Sequence, residues 1–289
     1  MKSIPKPNHM ETQVNNIILV PTDFTAVTEN AIHQACQTAK IIKSKVCLLH
    51  IIDSATKSNL KKEQLDSDSI DARLKTMAAE FASLHQVEVE TLTREGSIFT
   101  EIADVAKEIG AKLLFLGTHG KTNLEQKLTG SYALKVVTKS PAPVVVVQKR
   151  AIDGVYRKIV LPITSDAGPW EKTKWATYIA QNLKSVIHIY QLPGEAIAEA
   201  VKTITGHFDK NRVSYVVKVA EKSGDFSKQV IEYSTANNAD MVMIMTNPDK
   251  GLSTFILGSY DEEMIFNAPQ IPVMCINPRD FNWAKIVDY

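Results

Sequence analysis

The feature that most limits how this chain can fold is a series of short apolar runs, each followed by a turn and then by helical periodicity. Ile17-Ile18-Leu19-Val20 is the first run, and Leu113-Leu114-Phe115-Leu116 is a later one that Gly117 ends at once. Apolar runs of this length are too short for helices and are typical of strands buried on both faces of a parallel sheet. The order βαβαβαβαβ in the first half of the chain therefore predicts a doubly wound, Rossmann-like parallel sheet of the α/β class.

The other elements of the first half follow from the same patterns. Strands are predicted over Val46–Ile52 and Val87–Leu92, and helices over residues 71–84 and 98–109. The stretch 54–69 is polar and rich in lysine and aspartate, which predicts a mobile excursion between strand and helix.

The second half of the chain repeats the first. Lys158-Ile159-Val160-Leu161-Pro162 matches the first apolar run in type, and Gly258-Ser259 falls 128 positions after Gly130-Ser131. Self-similarity at this distance indicates an internal duplication, and 289 residues suffice for two tandem domains of this fold, each with its own core. The expected boundaries are a leader at 1–13, a first domain at 14–150, a second domain at 151–278 and a tail at 279–289.

Charge and composition exclude several classes of partner. The net charge is +1 with both signs interspersed, so we expect neither a nucleic acid nor a membrane as partner. The three cysteines, Cys36, Cys47 and Cys275, lie among apolar neighbours without metal-ligand spacing, which predicts buried reduced thiols. No stretch approaches the roughly 20 apolar residues of a membrane span, and the N-terminus has no apolar signal core. We therefore expect a cytoplasmic protein.

A glycine-rich loop follows the later of the two apolar runs. Gly117 and Gly120 bracket Thr118-His119, and Gly130-Ser131 stand at the predicted start of the next helix. Glycines let backbone N–H groups approach a phosphate, and a helix N-terminus adds unpaired N–H groups and a positive dipole end. A P-loop would need a glycine where Phe115 stands, and a dinucleotide fingerprint would need three glycines within six residues. The loop therefore predicts an anion site of a different kind.

The loop resembles the nucleotide motif of a known family. Its spacing G-x2-G-x9-G-S and the segment Gly117-Thr118-His119-Gly120-Lys121-Thr122-Asn123-Leu124 are similar to those of the universal stress proteins, which have an adenine nucleotide alpha hydrolase-like fold. The resemblance implies that the first domain holds ATP, with ADP or AMP as alternatives, together with Mg²⁺. It implies that Asp23 contacts the nucleoside, that backbone groups of Ile51 contact adenine, and that the glycines and Ser131 bind phosphate. The implied nucleotide-binding residues are Pro21, Thr22, Asp23, Ile51, Gly117, His119, Gly120, Lys121, Thr122, Asn123, Gly130, Ser131, Tyr132 and Ala133.

Three histidine and aspartate positions have alternative interpretations. Asp23 lies two residues before Thr25, the predicted cap of the first helix, and an acid at a helix N-terminus would be placed in the same way. His119 has no carboxylate or nucleophile paired with it, so we predict neither a catalytic residue nor a metal site. His50 lies in an apolar strand and is predicted to be a satisfied core or rim residue.

The second domain has lost the glycines of the loop. At the same register Met245 replaces Gly117, and Pro248, which has no N–H to donate, replaces Gly120. We therefore expect the second domain to be a structural or regulatory partner. Trp170 and Trp175, on its first helix, are expected to pack in the core or between domains.

The two domains are expected to meet through their last strands. Pro141 and Pro143 precede Val144–Val147, an apolar strand suited to the edge of a sheet. In the resembling family this strand is the dimer contact, which implies pairing between the two halves of this chain and leaves a homodimer open.

Three functions are consistent with the sequence. The first is a nucleotide-dependent regulatory or stress-response protein that binds ATP in its first domain. The second is a slow ATPase or nucleotidyl-transfer enzyme with the same site, although paired carboxylates and a His-x-x-His signature are lacking. The third is an interaction scaffold without a ligand, which the intact glycine loop of the first domain argues against.

Overall fold

The computed structural model describes residues 15–118, 127–152, 154–164, 170–246 and 259–277. The strands are β1 (Ile17–Pro21), β2 (Lys45–Ile52), β3 (Val89–Glu95), β4 (Leu113–Gly117), β5 (Val144–Val147), β6 (Lys158–Ile163), β7 (Val186–Gln191), β8 (Ser214–Val219), β9 (Met241–Met245) and β10 (Val273–Ile276). The helices are α1 (Ala26–Ile42), α2 (Ser54–Glu63), α3 (Ser67–His85), α4 (Ile98–Glu108), α5 (Lys127–Lys139), α6 (Trp170–Leu183), α7 (Glu195–Lys210), α8 (Phe226–Ala236) and α9 (Ser259–Ile265).

All ten described strands form one sheet, which confirms the predicted α/β class. Their order is β3-β2-β1-β4-β5-β10-β9-β6-β7-β8, and strands pair in parallel within each half. The two halves meet through β5 and β10, which pair antiparallel, as the sequence predicts. Because the halves run in opposite directions, the carboxyl ends of their strands lie at opposite edges of the sheet.

The strand registers align the two halves residue by residue. Pro21 pairs with Leu49 in the first half, and Pro162 pairs with Tyr190 in the second. In the same way Ile18 pairs with Leu113, and Ile159 pairs with Met241. Positions of the first half therefore have defined counterparts in the second, which allows the two to be compared.

Helices cover both faces of the sheet and bury its apolar strands. On one face α1, α3, α6 and α7 enclose a cluster that includes Ile32, Phe81, Trp175 and Phe208, and on the other α4, α5, α8 and α9 enclose a second cluster. Trp175 is fully buried, as predicted, whereas Trp170 is 43% exposed, so its prediction as a packing residue is wrong. Trp170 begins α6, and its ring contacts that of His207 on α7 edge-on, with centroids 5.0 Å apart.

Buried polar side chains reinforce the junction between the halves. Asn277 donates from Nδ2 to the carbonyl oxygens of Val137 and Ser140, at 2.7 and 3.1 Å. The Tyr156 hydroxyl donates to Oε1 of Gln34 on α1 at 2.6 Å. These hydrogen bonds satisfy polar groups that burial would otherwise leave unpaired, and they join the two halves into one packed unit.

One predicted stretch differs in kind from the structure. The stretch 54–69, predicted as a mobile excursion, contains α2 and the start of α3. Aspartates cap both helices: Asp53 accepts from the Thr56 backbone N–H, and Asp66 accepts from that of Ser69. The reason for the error is that α2 buries none of its residues, so it lacks the apolar periodicity by which helices are recognised.

The described helices and cysteines agree with the composition. No helix in the ranges given above has the length and hydropathy of a membrane span. Cys36, Cys47 and Cys275 are free and buried, as predicted, and burial raises the pKa of each thiol.

A buried lysine makes stability depend on pH. Lys172 on α6 donates to the Pro162 carbonyl oxygen, and burial lowers its pKa from 10.5 to about 7. Between about pH 7 and pH 10.5 the lysine is protonated in the unfolded chain and neutral in the folded chain, so the free energy of unfolding rises with pH. Below about pH 7 the lysine is protonated in both states, and its contribution to stability is least favourable. We expect Lys172→Met to remove this rise and to stabilise the fold by about 1–4 kcal/mol at neutral pH.

Urea unfolding of both proteins at several pH values within this window measures the effect. Lys174→Met, at a partly buried position of the same helix, is the control and should unfold in parallel with the wild type. A Lys172→Met protein that also unfolds in parallel with the wild type would contradict the prediction.

Candidate functional site

A cavity of about 220 Å³ lies at the carboxyl ends of β1, β2 and β4, where ligands bind in doubly wound sheets. The helices α4 and α5 form its far wall. Seven of the predicted nucleotide-binding residues line this cavity, namely Pro21, Thr22, Asp23, Ile51, Gly117, Tyr132 and Ala133. The fold thus brings together residues that are more than 100 positions apart in the chain.

The other predicted site residues are described only in part or not at all. His119, Gly120, Lys121, Thr122 and Asn123 lie outside the described residues, as does Pro248 in the second half. Gly130 and Ser131 lie within α5, which begins at Lys127 and therefore earlier than predicted. Their role in binding phosphate stays a prediction.

One oxygen of Asp23 is held by three donors. Its Oδ1 accepts from the Thr25 backbone N–H at 3.1 Å, the Thr25 hydroxyl at 2.6 Å and the Thr28 hydroxyl at 3.1 Å. Thr25 has the extended backbone of an N-cap residue, but its hydroxyl is committed to Asp23 rather than to a helix N–H. No described residue donates to Oδ2 of Asp23, and the side chain is exposed at the cavity. The carboxylate is therefore oriented with one oxygen available as an acceptor.

Gly117 allows β4 to end close against the first turn of α1. A Cβ atom at this position would lie 2.9 Å from Thr28 Cα and 3.0 Å from the Val27 carbonyl oxygen. Both neighbours are backbone atoms, so they cannot move aside as the end of a flexible side chain would. Glycine is required here by the close approach of the helix, and Thr28 is the residue that also holds Asp23.

Phe24 forms a strained turn beside the cavity. Its φ is 62°, which is unusual for an aromatic residue, and its ring contacts two side chains. His50 stacks on the ring at 4.8 Å, and the Arg73 guanidinium lies 4.1 Å from its centroid. These contacts from β2 and α3 hold the turn that carries Asp23. Neither His50 nor Arg73 was predicted to support the site, because the three residues are distant in sequence.

Two buried polar atoms near the cavity have no hydrogen-bond partner among the residues that the structure describes. His50 donates from Nδ1 to the Thr22 carbonyl oxygen at 2.8 Å, and its Nε2 is unpaired. Burial lowers the pKa of His50, so the ring is neutral at pH 7. His50 is thus buried as predicted, but it is only half satisfied. The hydroxyl of Thr118, next to Gly117, is the second unpaired group. Such groups are common at functional sites.

The walls of the cavity are apolar. They are formed by Leu49, Ile51, Ile98, Ile102 and Leu116, with the Tyr132 ring beside them. The Tyr132 ring stacks on the Phe99 ring, with 4.3 Å between their centroids. The Nζ atom of Lys135 lies 4.1 Å from the Phe99 centroid. A flat aromatic group fits such walls, and the carboxylate at the mouth offers a hydrogen-bond acceptor.

Large side chains stand at the counterparts of these positions in the second half. Tyr190 corresponds to Leu49, Phe226 to Ile98 as the first residue of its helix, and Met245 to Gly117. Tyr190 stacks on Phe226 at 5.7 Å, and Phe226 on Tyr260 at 6.4 Å. Tyr190 and Phe226 are therefore larger than their counterparts on the cavity wall, whereas Tyr260 corresponds to Tyr132, which lines the cavity of the first half. Aligning the repeats position by position would have revealed these aromatic replacements from sequence.

Thr164 stands where the first half has Asp23. Both lie two residues after the paired prolines Pro21 and Pro162. A threonine lacks the carboxylate, so the second half also lacks the acceptor of the first site at this register.

A second, wider depression lies away from the strand ends. It has a volume of about 700 Å³ and lies between the C-terminal ends of α8 and α9, with Ile231 and Phe266 among its lining residues. It faces the edge of the sheet at which the strands of the second half begin, so it does not share the geometry of the first cavity. In the described part of the chain no cluster of three metal-ligating side chains occurs.

Comparison with known proteins places the first half in a family. The sequence model of the universal stress protein family matches residues 15–148. A universal stress protein of Methanocaldococcus jannaschii, MJ0531, is 32% identical in an alignment of 142 positions that covers 46% of this chain and 81% of that protein. A second one from the same organism, MJ0577, is 30% identical in an alignment of 156 positions that covers 46% of this chain and 94% of that protein.

A solved structure extends the likeness of fold to both halves. The crystal structure of a universal stress protein from Archaeoglobus fulgidus has a TM-score of 0.74 and covers 91% of this chain and 98% of its own. Its sequence is only 17% identical, so this likeness concerns the fold alone. Together with the sequence relatives of the first half, these findings show that the chain belongs to the universal stress protein family.

Proposed function

We propose that this protein binds one adenine nucleotide in the cavity of its first half and acts as a nucleotide-dependent regulatory or stress-response protein. ATP is the proposed ligand, and ADP and AMP are alternatives of the same class. The observation that carries the proposal is the cavity itself, which places the oriented carboxylate of Asp23 and apolar walls at the carboxyl ends of β1, β2 and β4. A ligand at this position lies beside Gly117.

The nucleoside fits the described part of the site. The volume of about 220 Å³ is below the roughly 300–1,000 Å³ of complete small-molecule sites, so it suits one moiety of a larger ligand. In the proposed complex the base lies between the apolar walls, and a ribose hydroxyl donates to Oδ2 of Asp23. The phosphates extend past Gly117 toward α5, whose N-terminal N–H groups suit an anion.

Magnesium fits this arrangement as a companion of the phosphates. Mg²⁺ keeps several waters and is commonly bound through substrate phosphates with one or two carboxylates, rather than by a protein cage. Asp23 and Asp53 are the carboxylates that line the cavity. The ion would neutralise phosphate charge, and it would arrive as part of the Mg-nucleotide complex.

Regulation has a structural route through α1. The first turn of this helix holds Asp23 through Thr28, and further along the helix Asn30 donates to the carbonyl oxygens of Gln148 and Arg150 in the linker between the halves. A ligand bound to Asp23 therefore acts on the helix that holds the second half. A change of state on binding requires that the two states differ in affinity for the nucleotide.

The direct test is to denature freshly purified protein and to quantify the released nucleotide by chromatography. We expect about one adenine nucleotide per chain, because Tyr190 and Phe226 place aromatic rings where the first half has Leu49 and Ile98 on its cavity wall. Mostly ADP after incubation with Mg-ATP would favour the slow ATPase alternative. Two nucleotides per chain would contradict the single site, and none, with no binding of added Mg-ATP, would overturn the proposal.

Asp23→Asn isolates the contribution of the free carboxylate oxygen. The asparagine keeps an oxygen for the Thr25 and Thr28 donors but places an NH₂ group where Oδ2 was. Hydrogen bonds to charged groups contribute about 1.5–3 kcal/mol, so we expect the dissociation constant for Mg-ATP to rise about 10-fold to 100-fold. Titration calorimetry measures this change.

The matched control is Asp66→Asn. Asp66 also accepts a backbone N–H, from Ser69 at the start of α3, but it does not line the cavity. We expect its variant to bind Mg-ATP as the wild type does. Equal losses of affinity in the two variants would show that Asp23 acts through stability alone.

A further inference from the structure

The last strand of the second half has an unusually apolar exposed surface. β8 lies at one end of the described sheet, and its only described neighbour is β7. Val216, Val217 and Val219 are 46%, 42% and 47% exposed. Edge strands carry a row of unpaired N–H and C=O groups, and a long apolar edge is a template for pairing with another strand.

The opposite end of the same sheet is protected. Leu49 pairs with Leu92 of β3, and its counterpart Tyr190 pairs with Lys218 of β8, so Leu92 corresponds to Lys218. At the positions of the three exposed valines of β8, β3 therefore has Glu90, Thr91 and Thr93. The edge around β3 is also charged. Its ion pairs are Lys45–Glu90, Lys57–Glu95 and Arg94–Glu108, at 2.5 to 2.6 Å. Charged side chains of this kind prevent edge-to-edge association, and Lys218 is the one charged residue of β8.

We propose that β8 pairs antiparallel with β8 of a second copy of this chain, so that the protein forms a symmetric dimer through this edge. The proposal is independent of nucleotide binding. The molecule already joins its own halves in this way, since β5 and β10, both apolar strands, pair antiparallel at the centre of the sheet.

The sequence of β8 is complementary to itself about Val217. A two-fold axis perpendicular to the sheet leaves the same face of both strands on the same side. Odd-numbered residues of one strand therefore pair with odd-numbered residues of the other, and even-numbered with even-numbered. With the axis at Val217, Tyr215 lies opposite Val219 on one face, and Val216 lies opposite Lys218 on the other. Aromatic and β-branched residues pair favourably across strands, and the two lysines are not directly opposed.

Pairing of β8 with β8 of a second copy is favoured over pairing of β8 with other edges, which would produce open-ended filaments. Pairing of β8 with β3 of another molecule would be heterologous and would lead to filaments, but it would place valines against the charged edge. Pairing of β8 with itself closes after two copies. Six residues of edge bury less than the roughly 1,200–2,000 Å² of a stable interface, so the dimer should be weak and dependent on concentration.

Sedimentation equilibrium of the full chain from about 1 µM to about 1 mM tests the proposal. We expect the wild type to pass from monomer to dimer in this range. Val217→Asp places two carboxylates directly opposite each other, so we expect its dissociation constant to rise at least about tenfold. Thr91→Asp, at the counterpart position of β3, is the control and should dimerise as the wild type does.

Cysteine cross-linking tests the register. The native cysteines are buried, so a cysteine introduced at Val217 is the accessible thiol within the described residues, and it should form an intermolecular disulfide on mild oxidation. The variant Thr91→Cys should form no intermolecular disulfide in the same assay. A wild type that remains monomeric throughout, a dimer that Val217→Asp leaves unchanged, or open-ended aggregates instead of dimers would each overturn the proposal.

Discussion

Replacement of Gly117 by methionine, the residue that Met245 supplies in the second half, is expected to abolish nucleotide binding. A Cβ atom at this position would meet Thr28 Cα at 2.9 Å, so the first turn of α1 must move away from β4. That movement displaces Thr28, which holds Asp23, and the added side chain enters the path between the cavity and α5. We expect the dissociation constant for Mg-ATP to rise at least about 100-fold and the unfolding free energy to fall by about 1–3 kcal/mol. Titration calorimetry and urea unfolding measure the two effects.

The control for this change is Gly224→Met. A Cβ atom at Gly224 meets nothing within 4 Å, and the residue lies in the second half. Its variant should bind Mg-ATP normally and unfold at nearly the wild-type urea concentration. Normal binding by Gly117→Met would show that the approach of α1 to β4 has no part in the site.

The second large effect is expected from Ile98→Phe, which introduces the ring that Phe226 supplies in the second half. Ile98 lies on the cavity wall, and the cavity of about 220 Å³ has room for the larger side chain. The phenyl ring should therefore enter the space proposed for the base and compete with it. We expect binding of Mg-ATP to fall at least about 100-fold, with a loss of stability of less than about 1.5 kcal/mol. Released nucleotide per chain and titration calorimetry are the measurements.

Ile109→Phe is the matched control on the same helix region. Ile109 is a partly buried residue just after α4, it packs against the same apolar cluster, and it does not line the cavity. Binding should be retained in this variant. If Ile98→Phe binds Mg-ATP as tightly as Ile109→Phe does, the base does not lie against this wall.

The two halves show how one fold can carry different side chains at the ends of its strands. Both have the same strand order, because the parallel pairing depends on short apolar runs that both copies possess. The first half has Leu49 and Ile98 on its cavity wall, and the second half has the larger Tyr190 and Phe226 at the corresponding positions.

The sequence by itself determined the class of fold, the duplication and the gathering of Asp23, Ile51 and Gly117 at the strand ends, whereas the resemblance to a family implied the pairing of the halves through their last strands. These features depend on patterns that are local or repeated, such as apolar runs, helical periodicity and glycine spacing. The helix α2 was missed for the same reason, because a helix without a buried face leaves no apolar pattern.

Only the tertiary structure decided how the candidate site is supported and which surfaces are exposed. The site depends on contacts between residues of different elements. The Phe24 ring contacts His50 and Arg73, and Gly117 lies close to Thr28. The valines of β8 are typical of any strand, and only the order of the sheet shows that they lie at an exposed edge. Contacts of this kind depend on the distances between packed elements, and these distances cannot be derived from the spacing of residues in the sequence.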